Sequence, residues 1–293
     1  MQMVMTNETA DRDFDCLTPA VAGLGYIFGR PKAVAALCVI TLSGLGWLYF
    51  ALLLARLDAS SNGTNSAVVQ ALCRPLAEGA WSAASIALVG SMWTAMALAM
   101  MLPSAAPMIW TYAGIAEAAA RKRERIISPF ALAAGYAIVW LGFSVIATLT
   151  QISFMQAALL DVNMAANGAL FSGAIFIGAG AYQFSALKYA CLNRCQNPFP
   201  FFFTNWATTR SGVFRLGLKQ GLYCLGCCWA MMSVMFAVGV MNVVWMAALG
   251  AIMTIEKMLT GRRFTQAVGL VLIATGVSAV LMAVASHWPA QAG

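Results

Sequence analysis

Charge is what this sequence has least of: 9% of its 293 residues are Asp, Glu, Lys or Arg, against about 25% in an ordinary soluble domain. Hydrophobic residues make up 61%, more than a soluble fold of this size could hide. Histidine occurs once, as His287 near the C-terminus, which argues against a buried bis-histidine haem or a His-rich zinc transport site. No G-x-x-x-x-G-K-[ST] phosphate loop is present, so ATP-driven pumping by this chain is not expected. No serine or carboxylate constellation suggests hydrolysis. Acidic groups are scarce wherever the chain is apolar, Glu256 beside Lys257 being the one acidic residue at the end of an apolar run. The first 32 residues are polar and acidic, with no short apolar core or small-residue cleavage site, so the first apolar run is expected to be an uncleaved span.

What the chain does have is apolar runs near the roughly 20 residues that a helix needs to cross about 30 Å of hydrocarbon. An all-α, polytopic transmembrane bundle of about seven spans is therefore expected, with runs at 33–55, 83–102, 130–150, 169–189, 222–238, 241–258 and 265–285. Residues 218–255 read as one continuous stretch; as a single helix it would be about 57 Å long, nearly twice the hydrocarbon thickness. It must fold back, and Gly239 and Asn242 are the best turn formers near its middle. With that hairpin and a cytoplasmic N-terminus, all Lys and Arg except Arg56 and Arg74 fall on the cytoplasmic side, as the positive-inside rule requires. The net charge of +7 is thereby read as topology rather than as a nucleic-acid footprint. The expected organisation is a cytoplasmic tail (1–32), a helical membrane domain (33–286) and a short external tail (287–293). Within the domain a loop at about 196–220, rich in Phe, Trp and Arg, is expected to lie at the interface.

Of eight cysteines, five fall in two short clusters, Cys191 with Cys195 and Cys224 with Cys227 and Cys228. Spacings of three and four residues put each cluster on one helix face. Met231 and Met235 continue the stripe from Cys224, forming a column of soft sulfur that enters the bilayer from the cytoplasmic side. Thiolates and thioethers select Cu(I), and thiolates also hold Zn(II). Free Cys and Met are equally good packing residues, and for any single Met, or for the stripe Trp93, Met96, Met100 and Pro103, packing is the better reading. Five cysteines gathered at one membrane face point instead to a metal or redox role, in a compartment that keeps thiols reduced.

The elements Trp93-Thr94-Ala95-Met96 through Pro103, Tyr182-Gln183, Leu187-Lys188, Cys191-x-x-x-Cys195, Gly221-Leu222-Tyr223-Cys224-Leu225-Gly226-Cys227-Cys228-Trp229, Gly239-Val240-Met241-Asn242 and Glu256-Lys257 resemble a bacterial family catalogued as predicted metal-binding integral membrane proteins. That family includes a copper chaperone associated with a tyrosinase. The resemblance covers roughly 93–257 and implies that Cys191, Cys195, Cys224, Cys227 and Cys228 are metal-site candidates, with Gln183 and Glu256 supporting them from behind. Two positions depart from the family pattern: Gln220 stands where a His is common, removing a nitrogen donor, and Ala186 stands where a Pro is common.

The expected function is thus a multi-pass protein of the bacterial inner membrane that carries Cu(I), or alternatively zinc, to a copper enzyme or another membrane subunit, without catalysis of its own. A membrane thiol oxidoreductase and a structural subunit of a membrane complex are the competing readings. The first needs exposed thiols facing an oxidising compartment, where this topology leaves Cys73 unpaired.

Overall fold

In the computed structural model, described for residues 83–121, 128–160, 166–240, 242–259 and 261–287 and for parts of 37–52, every regular element is helical. Nine helices follow in order from residue 83: α1 (Ala83–Arg121), α2 (Pro129–Gln156), α3 (Ala169–Tyr182), α4 (Ala186–Gln196), α5 (Pro198–Thr204), α6 (Arg210–Ser233), α7 (Met235–Val238), α8 (Val243–Met258) and α9 (Arg262–His287). A short apolar helix, Val39–Leu48, lies in the first run, most of which falls outside the described residues. The same is true of Cys73, Arg56, Arg74 and the basic run 122–125, so the expected division of charge falls in part outside the described residues.

Four of these helices are long and apolar enough to cross a membrane among the described residues, or five if the bent pair α3–α4 counts as one span. Seven expected spans thus become four or five candidates. The sixth expected run forms α8, which has 16 residues and so extends about 24 Å, short of the hydrocarbon thickness. The fourth run is not one helix. It breaks after Tyr182 and resumes at Ala186 with a bend of 63°. Ser185 caps the new helix by accepting a hydrogen bond from the Lys188 amide at 3.1 Å, which satisfies a backbone donor that the break would otherwise orphan. The segment expected as an interfacial loop, 196–220, is mostly helix. It holds α5 and the first turns of α6, which Thr209 caps through the Gly212 amide at 3.1 Å.

The turn at the end of α6 stands where the sequence places it. Gly239 has φ +97°, a conformation that costs a residue with a Cβ dearly. The Asn242 amide donates to the Gly239 carbonyl at 3.0 Å, and the Asn242 side chain accepts from the Trp245 amide at 3.2 Å to start α8. α8 then packs on α1.

Small residues set the closest helix crossings. A Cβ at Gly135 of α2 would lie 2.2 Å from the Phe214 carbonyl oxygen, and one at Gly217 of α6 would lie 2.1 Å from that of Leu132. The two backbones touch there because neither residue has a side chain, as is usual between helices in lipid. The crossing draws α2 and α6 together beneath α1, whose Trp93, Met96 and Met100 are buried. That stripe is packing, as expected, with one addition: the Trp93 indole donates to Gln151 Oε1 on α2 at 2.7 Å. α9, by contrast, turns Leu270, Val271, Leu281 and Met282 outward, an exposed apolar face compatible with a membrane protein.

Candidate metal centre

The cysteines come together where α4, α6 and α8 meet α1 and α2. On α6 the spacing of three and four residues places Cys224, Cys227 and Cys228 on one face, all buried. The bend between α3 and α4 directs α4 against that face. Cys195, half-buried on α4, packs against the core that holds Cys224 and Cys227. Cys227 and Cys228 stand with their sulfurs 3.3 Å apart, and the Cys227 thiol also donates to the Cys224 carbonyl at 3.1 Å. Cys191, one turn before Cys195, lies over Gly226: a Cβ there would come within 2.6 Å of its sulfur. The Tyr182 hydroxyl at the end of α3 donates to the Gly226 carbonyl and closes this side. All five cysteines are free.

Cys224 has the richest surroundings. The Tyr136 hydroxyl of α2 lies 3.0 Å from its sulfur and 3.1 Å from the Met101 carbonyl of α1. The Lys257 ammonium of α8 donates to the same sulfur at 3.0 Å and to Ser104 Oγ of α1 at 2.6 Å. Five helices therefore contribute to one sulfur-rich point. Met231 and Met235 are fully buried farther along α6 and α7, with the helix interrupted between them at Val234. Met92, Met96, Met100, Met101, Met246 and Met253 join the same core.

Gln183 and Glu256 do not reach the sulfurs. They hold Lys188 instead: its ammonium donates to Gln183 Oε1 and to Glu256 Oε2, the latter at 2.8 Å. Lys188 and Glu256 are 0% and 2% exposed, so this is an ion pair within the bundle. The two lysines that the sequence reading assigned to topology, Lys188 and Lys257, are thus interior residues. Neither Tyr136 nor Ser104 was foreseen. The one signal available was general: an ionisable residue at membrane depth is a candidate for function, and a 16-residue α8 is too short to carry Glu256 and Lys257 clear of the bundle.

Among the described residues, no three His, Cys, Asp or Glu side chains are arranged to hold a metal as they stand. The sulfur contacts give a physical reason. With metal–sulfur bonds of about 2.3 Å, sulfurs around a tetrahedral ion sit about 3.8 Å apart, whereas Cys227 and Cys228 touch at 3.3 Å and Cys224 carries a lysine. Ligation requires these side chains to spread and Cys224 to share its lone pairs. The donor set itself, soft sulfur with no histidine and no carboxylate, suits a soft monovalent ion.

The chain matches a family model, PpoB2, described as a copper chaperone, over residues 90–279. That region takes in every residue of the site. No curated protein and no solved structure matches the chain.

Proposed function

Since the chain belongs to the PpoB2 copper chaperone family, we propose that it is a membrane-embedded carrier that takes Cu(I) onto Cys195, Cys224, Cys227 and Cys228 and passes it to a copper enzyme. The observation that carries this reading is the meeting of the two cysteine clusters, distant in sequence, at the junction of α4 and α6, where the Cys191 sulfur lies over Gly226. Packing alone does not require five unoxidised thiols at one point, and thiolate ligands are what Cu(I) prefers.

Copper here is cargo. It arrives bound to the sulfurs of a donor, and transfer proceeds by exchange of one sulfur ligand for another, with no change of oxidation state. Cys195 is the half-buried member and so the first ligand within reach of a donor. Cys224, Cys227 and Cys228 are the buried destination, and Cys191 borders it. Met231 and Met235, neutral thioethers farther along the same helices, offer weaker onward ligands. A bacterial inner-membrane location with the N-terminus and the cysteines toward the cytoplasm fits the distribution of basic residues in the sequence and the reduced thiols. The apolar outer face of α9 fits a bilayer as its surroundings.

The test is metal content of the protein purified anaerobically in detergent and offered Cu(I) and Zn(II) together, beside a Cys224→Ser/Cys227→Ser/Cys228→Ser variant. The wild type is expected to retain Cu(I), lose it in the variant, and deliver it to a copper-free copper enzyme. Retention of zinc that neither exchanges nor transfers overturns the reading.

A further inference from the structure

Lys257 has no counterpart in a simple thiolate site, and its position invites a specific role. Its ammonium is buried, touches the Cys224 sulfur at 3.0 Å and Ser104 Oγ at 2.6 Å, and lies close to Tyr136 and Cys228. The buried carboxylate next to it in the chain, Glu256, is turned away and held by Lys188 at 2.8 Å. A cation out of water needs a counter-charge. The neutral hydroxyl of Ser104 solvates this one, and the sulfurs are the groups placed to balance it.

We propose that Lys257 is a positioning residue that fixes the charge of the bound metal unit and thereby makes the site prefer a monovalent ion. The proposal rests on the reading of these cysteines as a copper site. A Cu(I) ion held by two thiolates carries a net charge of minus one, and Lys257 beside it brings the assembly to zero. A divalent ion on the same two thiolates is already neutral, and Lys257 leaves it with an excess positive charge in a medium that screens poorly. The divalent ion reaches neutrality only by recruiting a third thiolate, which requires the touching sulfurs of Cys227 and Cys228 to rearrange further. Loading conserves charge as well. As copper moves from two sulfurs of its donor to Cys224 and one neighbouring cysteine, two copper–sulfur bonds break and two form. Any proton leaving these thiols passes to the donor's sulfurs, and copper remains monovalent.

The experiment measures Cu(I) and Zn(II) affinities, by competition with chelators of known strength, for the full chain in detergent. Wild type, Lys257→Met, Lys257→Gln and Lys257→Arg are compared. Loss of the charge in the Met variant is expected to lower the preference for Cu(I) over Zn(II) about tenfold or more, while Arg keeps it within about threefold. If Lys257→Met does not fold, as judged by helical content and a monodisperse elution profile, Lys257→Gln carries the same expectation. A lysine that only props the helices apart would weaken both metals alike, so an unchanged ratio in the neutral variants overturns the proposal while leaving the copper site standing. A wild type that binds no Cu(I) overturns both.

Discussion

Among the described residues two lysines are buried within this bundle, and their partners differ. Lys188 on α4 is matched by a carboxylate, Glu256, with Gln183 completing the contact. Lys257 on α8, adjacent in sequence to that carboxylate, is matched by a sulfur and a hydroxyl. A carboxylate is a hard anion with little affinity for a soft ion, so the first pair is closed chemistry and serves the architecture: it ties α8 to the broken end of α3 and the start of α4. A cysteine sulfur is a ligand that a soft metal can take, so the second pair is open chemistry. One turn of α8 thus carries both a bolt and a latch, and the two can be separated by mutation.

The largest effect is expected at the bolt. Glu256→Leu leaves the Lys188 ammonium buried without its counter-charge, and removing one partner of a buried pair costs about 3–5 kcal/mol. Thermal unfolding in detergent should show that loss, with the Cu(I) stoichiometry of the remaining folded protein unchanged. A variant that unfolds normally but loses copper would erase the distinction between the two lysines. The double variant Lys188→Met/Glu256→Leu sharpens it: replacing both charges with apolar groups of similar volume is expected to restore stability to the wild-type level or exceed it by about 1–4 kcal/mol. Among the described residues, Glu256 Oε1 and Gln183 Nε2 have no hydrogen-bond partner, which adds to the cost of keeping the pair and favours the double variant.

A smaller effect is expected where α4 meets the latch. Gly226→Ala puts a Cβ within 2.6 Å of the Cys191 sulfur. Forcing that side chain aside is expected to cost about 1–3 kcal/mol. Because α4 also carries Cys195, the displacement should slow copper loading from a thiolate donor in stopped-flow measurements. Loading at the wild-type rate would mean that Cys195 is not the first ligand.

How much of this was legible in the sequence follows from the range of each signal. The all-helical class was, along with the long apolar helices at 83–102 and 130–150, because hydropathy and the Gly239–Asn242 turn act over a few residues, and the turn is found where it was expected. The grouping of Cys224, Cys227 and Cys228 was legible for the same reason. The break after Tyr182 was not, since 169–182 is apolar almost throughout, no proline or glycine marks Gln183–Ser185, and a lone Ser185 cap is a weak signal inside a run of that length. Nor was the helical character of 198–220, whose prolines and aromatic run hid α5 and the early start of α6. Least legible were the polar contacts. Tyr136 meets Cys224 across 88 positions, Lys188 meets Glu256 across 68 and Lys257 meets Ser104 across 153. No periodicity reports pairings over such separations, and a lysine at the end of an apolar run looks the same whether it faces water or the core.

The finest distinction lies within the latch itself, between the charge of Lys257 and the contact that orients it. Ser104 accepts from the ammonium at 2.6 Å and donates its own hydroxyl to the Met101 carbonyl at 2.8 Å. Ser104→Ala removes one acceptor but leaves the lysine its sulfur partner, so a loss of about 1 kcal/mol in stability is expected, near the ordinary value of a hydrogen bond. The preference for Cu(I) over Zn(II) should not move, because the ammonium remains beside Cys224 and the charge of the assembly is the same. If Ser104→Ala shifts that preference as far as Lys257→Met does, orientation rather than charge governs metal choice. The electrostatic account of the latch would then give way to a geometric one, with the bolt formed by Lys188 and Glu256 unaffected.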